Sequence, residues 1–260
     1  MPPSSTVFLM YHELEIAGRP LCQSEPGYEV YVLKEANFRS QMRWLRESGL
    51  RGISVGEALA CHPKSSVVIT FDDGSETDLL VAAPILNESN CQATFYVTAG
   101  FLGQPGYLTA SQLCELSAMG FEIGCHSMSH AYLNDLDRDG LNREVVEAKQ
   151  RLEQLLGKAV EHFSCPGGRY DERVIAVARA CGYRSLSTSR AHANSIATNP
   201  FALGRVVVRR DTTLQAFQEI CRGQGLWKTQ FRDSLRDGAK NILGNSFYDR
   251  VRARLLGSRS

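Results

Sequence analysis

The feature that most constrains this chain is an alternation. Short apolar, β-rich runs recur at residues 6–11, 67–71, 93–97, 121–125, 160–164, 184–188 and 205–208, with helical patterns between most of them. Runs of this length and composition read as buried strands. Leu141, Val145, Ala148, Leu152 and Leu155 follow helical spacing up to Gly157, a glycine placed to close the helix. Asn37 is placed to cap a helix carrying Phe38, Met42 and Leu45 that stops at Gly49, and Thr109 to cap one carrying Leu113 and Leu116 that stops at Gly120. Strands separated by helices pair in parallel through right-handed crossovers, and seven of them predict a closed or nearly closed β/α barrel. Sites in such barrels form where strands end.

With 260 residues, 43% of them hydrophobic, the chain is long enough for one substantial core. The spacing predicts a barrel over residues 1–212 and a helical C-terminal extension over 213–260. Charge divides along the chain: residues 221–260 hold nine Lys and Arg against three Asp and Glu, within a total of 29 against 28. A net charge of +1 argues against a general nucleic-acid binder. The basic extension, with Trp227, Phe231, Leu235, Ile242, Phe247, Tyr248, Val251 and Leu255, is read as a packing helix, a partner surface or a peripheral membrane contact. No secretory leader pattern and no 20-residue apolar span is visible. Eight scattered cysteines without a CxxC pair read as reduced thiols, so the expected location is cytoplasmic, with contact at the inner membrane face through the basic extension.

The chemistry concentrates at two strand ends. Thr70-Phe71-Asp72-Asp73-Gly74 follows the run Val67-Val68-Ile69. Adjacent residues on a strand point to opposite sides, so one carboxylate can bind a metal while the other faces the attacking water. Alone, Asp-Asp-Gly is equally a turn. His126-Ser127-Met128-Ser129-His130 follows the run ending at Cys125, and two histidines four apart can present nitrogens to one ion. Either cluster has an ordinary structural reading. Together they supply an Asp-His-His set plus a spare carboxylate.

These residues resemble the first two motifs of the polysaccharide deacetylase family (carbohydrate esterase family 4), TFDDG and H-[ST]-x-x-H, and the likeness extends over about residues 6–210. The resemblance implies a distorted (β/α)7 TIM-like barrel. It makes Asp72 the general base and Asp73, His126 and His130 ligands of a divalent metal, zinc above all, with cobalt or nickel as other occupants. The third family motif, R-x-P followed by an aromatic and Gly, matches Ser164-Cys165-Pro166-Gly167-Gly168. Pro166 keeps its place, and by position the Gly167 N–H is the oxyanion donor. Ser164 replaces the arginine that in the family orients the catalytic aspartate, leaving Arg169 and Arg205 as candidates to take over. The same stretch also reads as a Pro-Gly-Gly turn. No late Leu-x-His follows residue 190, whereas Leu9-Met10-Tyr11-His12 looks like that motif moved to the front, an order resembling the circularly permuted poly-N-acetylglucosamine deacetylases. His12 is then the general acid, or else a strand-end histidine held by backbone. His62, His162 and His192 are weaker candidates.

The implied activity is metal-dependent removal of N-acetyl groups from an amino sugar, a polysaccharide or a lipid-linked saccharide. The alternatives are another amide hydrolase on the same scaffold, a deformylase or cyclic-amide hydrolase, and a silent carbohydrate-binding protein, the last motivated by the missing arginine.

Overall fold

The computed structural model describes residues 5–226. In chain order the elements are β1 (Val7–Tyr11), β2 (Leu14–Glu15), β3 (Leu33–Lys34), α1 (Glu35–Ser48), β4 (Arg51–Ile53), α2 (Val55–Cys61), β5 (Ser66–Phe71), α3 (Ala83–Glu88), β6 (Thr94–Val97), α4 (Ala110–Ala118), β7 (Glu122–Cys125), α5 (Arg138–Leu141), α6 (Ala148–Leu156), β8 (His162–Ser164), α7 (Glu172–Ala180), β9 (Ser185–Ser187), β10 (Val206–Val207) and α8 (Leu214–Cys221). Wider π-helical turns cover Asp78–Ala82 and Asn142–Glu147.

All seven predicted strands are present, and they lie in parallel in the order β10-β1-β5-β6-β7-β8-β9, with β4 paired to the early half of β5. A bridge from Ser187 to Leu203 links β9 back to the segment entering β10, so the sheet curls nearly closed. This is the (β/α)7 barrel-like architecture expected from the sequence. The strands' two faces bury different things, as their alternation requires. Val7, Leu9 and Tyr11 of β1, Val67, Ile69 and Phe71 of β5, and Phe95 and Val97 of β6 face the surrounding helices in the main core. Tyr11, Phe71 and Phe95 stack across three adjacent strands at 5.0–5.1 Å. The intervening residues Phe8, Val68 and Tyr96 face the barrel interior, where Val55 and Ala58 of α2 cover its lower end.

Polar residues fill the rest of the interior in layers. At the strands' N-terminal ends, Glu122 accepts from the Gly56 N–H at 3.0 Å and from Thr94, and His162 Nδ1 meets Ser185 Oγ at 2.9 Å. In the middle, the Tyr96 hydroxyl reaches Ser187 at 2.9 Å. Toward the C-terminal ends lie Asp72, His126 and the guanidinium of Arg205, which reaches there from the start of β10.

Two sequence expectations need correction. Asn37 does not cap α1, which begins at Glu35 directly from the extended Lys34 without a side-chain cap. The helix through residues 141–156 is not continuous α, because a π turn separates α5 from α6. Thr109 does cap α4, in a reciprocal capping box with Gln112, and Gly157 closes α6 with φ of 65°. Phe217 and Cys221 of α8 are buried in the main core, with Phe217 edge-on to Trp44 of α1 at 5.9 Å. The remaining tail residues singled out in the sequence, Trp227 onward, lie outside the described residues.

Candidate active site

Asp73 is held just past β5 in a left-handed conformation, φ 80°, with only 4% of its surface exposed. Its Oδ1 is buried without a hydrogen-bond partner and lies 3.5 Å from both His126 Nε2 and His130 Nε2. An orphaned carboxylate oxygen facing two imidazole nitrogens is costly unless something positive joins them. Ligand atoms of the three residues fall within 4.8 Å of one another. His126 spends Nδ1 on the Ser164 carbonyl at 2.8 Å, which fixes the proton there and leaves Nε2 as a lone pair aimed at Asp73. Burial lowers the His126 pKa to about 4, so the ring stays neutral as a ligand must. One carboxylate and two imidazoles suit a divalent transition ion, zinc, cobalt and nickel included. The donor set fits the group the sequence implies.

His126 ends β7 in register, its N–H donating to the Val97 carbonyl at 2.9 Å. The connector after it is less regular. Ser127 and His130 both have positive φ, 69° and 62°, a conformation that costs non-glycine residues free energy and concentrates at functional sites.

Asp72 faces the barrel interior beside this cluster, with Oδ2 3.8 Å from His126 Nε2. Arg205, 1% exposed, clasps it from the strand that closes the barrel: Nη1 donates to Oδ1 at 2.6 Å and Nη2 to Oδ2 at 2.7 Å. The guanidinium also donates to Thr188 O, Thr70 Oγ1 and Ser164 Oγ, so each of its five N–H groups has an acceptor. Burial opposes ionisation of Asp72, but the charge and hydrogen bonds of the Arg205 guanidinium outweigh it and hold this carboxyl below the usual carboxylate range. Of the two arginine candidates, Arg205 therefore fills the place vacated at Ser164. Arg169 does not. Its guanidinium lies over the Tyr132 ring at 3.7 Å, beside Gly167.

His12 follows β1 as Asp72 follows β5, and the Asp72 N–H donates to the Tyr11 carbonyl at 3.0 Å, so the two side chains start from neighbouring positions on one rim. The His12 ring lies 4.9 Å from that of Tyr31, and its Nδ1 is buried without a hydrogen-bond partner. Burial lowers its pKa, with Arg205 and His130 acting in the same direction against the two aspartates. Pro166 and Gly167 follow β8, Pro166 buried and Gly167 exposed at φ 61°. Gln23, in the segment between β2 and β3, reaches Asp73 Oδ2 with its amide at 3.5 Å. His62 closes α2 and His162 sits at the barrel's opposite end, so neither joins the cluster. His192 packs against Gly204.

Residues 60–186 match a family model described as polysaccharide deacetylase. The chain thus resembles the polysaccharide deacetylase family over just under half of its length. It is 28% identical over 221 residues to YxkH of Bacillus subtilis, a protein described as a polysaccharide deacetylase, covering 83% of this chain and 75% of that one. It is also 22% identical over 211 residues to the poly-β-1,6-N-acetyl-D-glucosamine N-deacetylase of Staphylococcus aureus, covering 74% and 71%. The chain spans about half of the peptidoglycan-N-acetylglucosamine deacetylase of Bacillus cereus, at 28% identity. Among solved structures, IcaB from Ammonifex degensii superposes with a TM-score of 0.71 at 25% identity, over 83% of this chain and 97% of that one. The deacetylase PplD of Streptococcus pyogenes superposes at 0.74 with 23% identity, over 84% and 99%, a likeness of fold.

Proposed function

We propose that this chain is a metal-dependent hydrolase that removes N-acetyl groups from an amino sugar, its polymer or a lipid-linked saccharide. The observation that carries the reading is the orphaned Asp73 Oδ1 facing two imidazole nitrogens beside a carboxylate locked by Arg205. The relatives named for N-acetylglucosamine polymers support the choice of acyl group and sugar class.

Asp73, His126 and His130 hold the ion, which we take to be zinc. When bound, it supplies Lewis-acid polarisation of the acyl carbonyl and makes water a usable nucleophile near neutrality. Asp72 is the general base, receiving the water's proton at Oδ2, the oxygen nearer His126. Arg205 fixes the plane of that carboxylate and keeps it ionised. The Gly167 N–H, at the exposed mouth, holds the developing oxyanion, a role whose loss typically costs about 10² to 10³ in rate. His12 donates a proton to the leaving amine, as a positioned acid worth about 10² to 10⁴. Pro166 sets the turn that presents Gly167, and Arg169 stands with Tyr132 at the substrate's edge. The pairing of Arg205 with Asp72 supports the active reading over the silent binder that the missing arginine suggests.

We further propose that residues 1–212 carry the catalysis and that the 213–260 extension makes peripheral contact with an anionic membrane face in the cytoplasm. No helix among the described residues is long and apolar enough to cross a membrane.

The test is acetate release from N-acetylglucosamine oligomers and lipid-linked N-acetyl sugars, with protein reconstituted in zinc, cobalt or nickel. Asp72→Asn is expected to keep its metal and lose turnover, whereas His126→Ala and His130→Ala lose both. His12→Ala is expected to slow N-acetyl hydrolysis by about 10² to 10⁴ while sparing an activated ester, whose leaving group needs no proton. Full metal occupancy and activity in both histidine ligand variants would sink the site; loss of metal in Asp72→Asn would mean the two aspartates exchange roles.

A further inference from the structure

Glu144 lies on the outer helical layer and belongs to none of the motifs above, yet only 2% of it is exposed. It sits within the π turn Asn142–Glu147. There its side chain reaches inward to the connector between the two histidines: Oε2 accepts from the Met128 N–H at 3.0 Å and the Ser129 N–H at 2.8 Å, and Oε1 from the Ser129 hydroxyl at 2.7 Å. Charge-assisted bonds of this kind are roughly twice as strong as neutral ones.

The opposite edge of the same connector is held by backbone. Ser127 O accepts from the Ala99 N–H at 3.0 Å and Met128 O from the Gly100 N–H at 2.8 Å. A Cβ on Gly100 would collide with Met128 O, so the approach is as close as glycine permits. Residues 127–129 are thus gripped from both sides, and the His130 N–H closes the turn on Ser127 Oγ at 3.0 Å. The two strained residues, Ser127 and His130, bracket the three bonds to Glu144. Strain of about 1–3 kcal/mol per such residue persists only where the surroundings over-determine it. His126 has a second anchor in the Ser164 carbonyl, whereas His130, with its side chain 34% exposed, is directed by the connector and by the Phe101 ring stacked 6.4 Å away.

We propose that Glu144 is a positioning residue for the metal centre: by fixing the Met128–Ser129 backbone it holds His130 Nε2 opposite Asp73 and so sets metal affinity. The inference rests on the metal-site reading above, and it explains the placement of a π turn, an element that recurs at functional sites.

The test is zinc affinity of the metal-free full-length chain, measured by competition with a chromophoric chelator, alongside the visible absorption of the cobalt form. Residues supporting first ligands typically cost 10- to 100-fold in metal affinity when lost. Glu144→Gln, which keeps shape and loses charge, is expected near the lower figure, about 10-fold, and Glu144→Leu near the upper, about 100-fold. The cobalt spectrum should broaden in both, and activity should return at saturating metal. Ser129→Ala removes one of the three bonds without emptying a buried site, so it is expected to weaken zinc even if Glu144→Leu fails to fold. Wild-type zinc affinity in Glu144→Gln and Ser129→Ala would overturn the proposal, as would a lower melting temperature with zinc affinity unchanged. If the wild-type chain binds no zinc, or His130→Ala binds it equally well, the metal-site reading itself fails, a result distinguishable from the first.

Discussion

Arg205 and Ser164 form one hydrogen-bonded unit around Asp72 in the barrel interior. Small Ser164 leaves room in the barrel interior, and a guanidinium from the segment entering β10 fills it, using the Ser164 hydroxyl as one of its acceptors. The pair with Asp72 is bidentate, so charge alone will not replace it. Arg205→Lys is expected to leave metal binding intact and lower turnover by about 10²-fold, the scale of a misplacement near 1 Å. Arg205→Met leaves a buried carboxylate unpaired, a loss of about 3–5 kcal/mol that denaturant unfolding would register. Ser164→Arg combined with Arg205→Ala should recover part of the turnover if the guanidinium's position is what counts; a double variant no better than Arg205→Ala would refute that. Both arginines were legible in the sequence as candidates. Choosing between them needed the barrel's curvature, which brings β10 beside β1 and turns Arg205 inward, whereas Arg169 falls beyond the end of β8.

At the level of elements, β1, β5 and β6 were readable because each is buried on both faces and so appears as a nearly continuous apolar run. The strands β2, β3 and β4, of two or three residues each, were not. The π turn was also hidden: its apolar residues keep near-helical spacing, and only the inward aim of Glu144 betrays it. Gly124 is a further position whose reason is visible only in the fold. It lies in the interior-facing column of β7 between Glu122 and His126, and a Cβ there would enter the Tyr96 ring, which is fully buried and tied to Ser187. Gly124→Ala is expected to cost about 1–3 kcal/mol, the usual range for overpacking. Trimming the obstacle with Tyr96→Leu should make the same substitution nearly neutral, as a thermal-unfolding cycle would show; equal cost in both backgrounds would place the strain elsewhere.

Across the whole molecule, the site draws on the first strand and the last, His12 and Arg205, with the aspartates and histidines between them. That arrangement requires the first strand and the last to lie side by side, and they do so within the described residues: Leu9 and Met10 pair with Val206 and Val207, and α8 packs on α1 beyond them. The cluster so described is assembled from residues 12 to 205, while residues 221–260 carry nine of the chain's basic residues against three acidic ones. A chain ending at residue 226, which retains the buried Leu226, is therefore expected to fold, bind one zinc with the affinity of the full-length protein and hydrolyse soluble N-acetyl oligosaccharides at a similar rate. The two proteins should part company at membranes. Full-length protein is expected to bind vesicles of anionic lipid at low salt and to dissociate as the screening length shrinks toward about 10 Å near 0.1 M, and the shortened chain to stay in solution. Co-sedimentation across a salt series decides it: equal binding by both proteins, or binding indifferent to salt, would remove the membrane role from the tail, and loss of zinc on truncation would show that the tail supports the site after all.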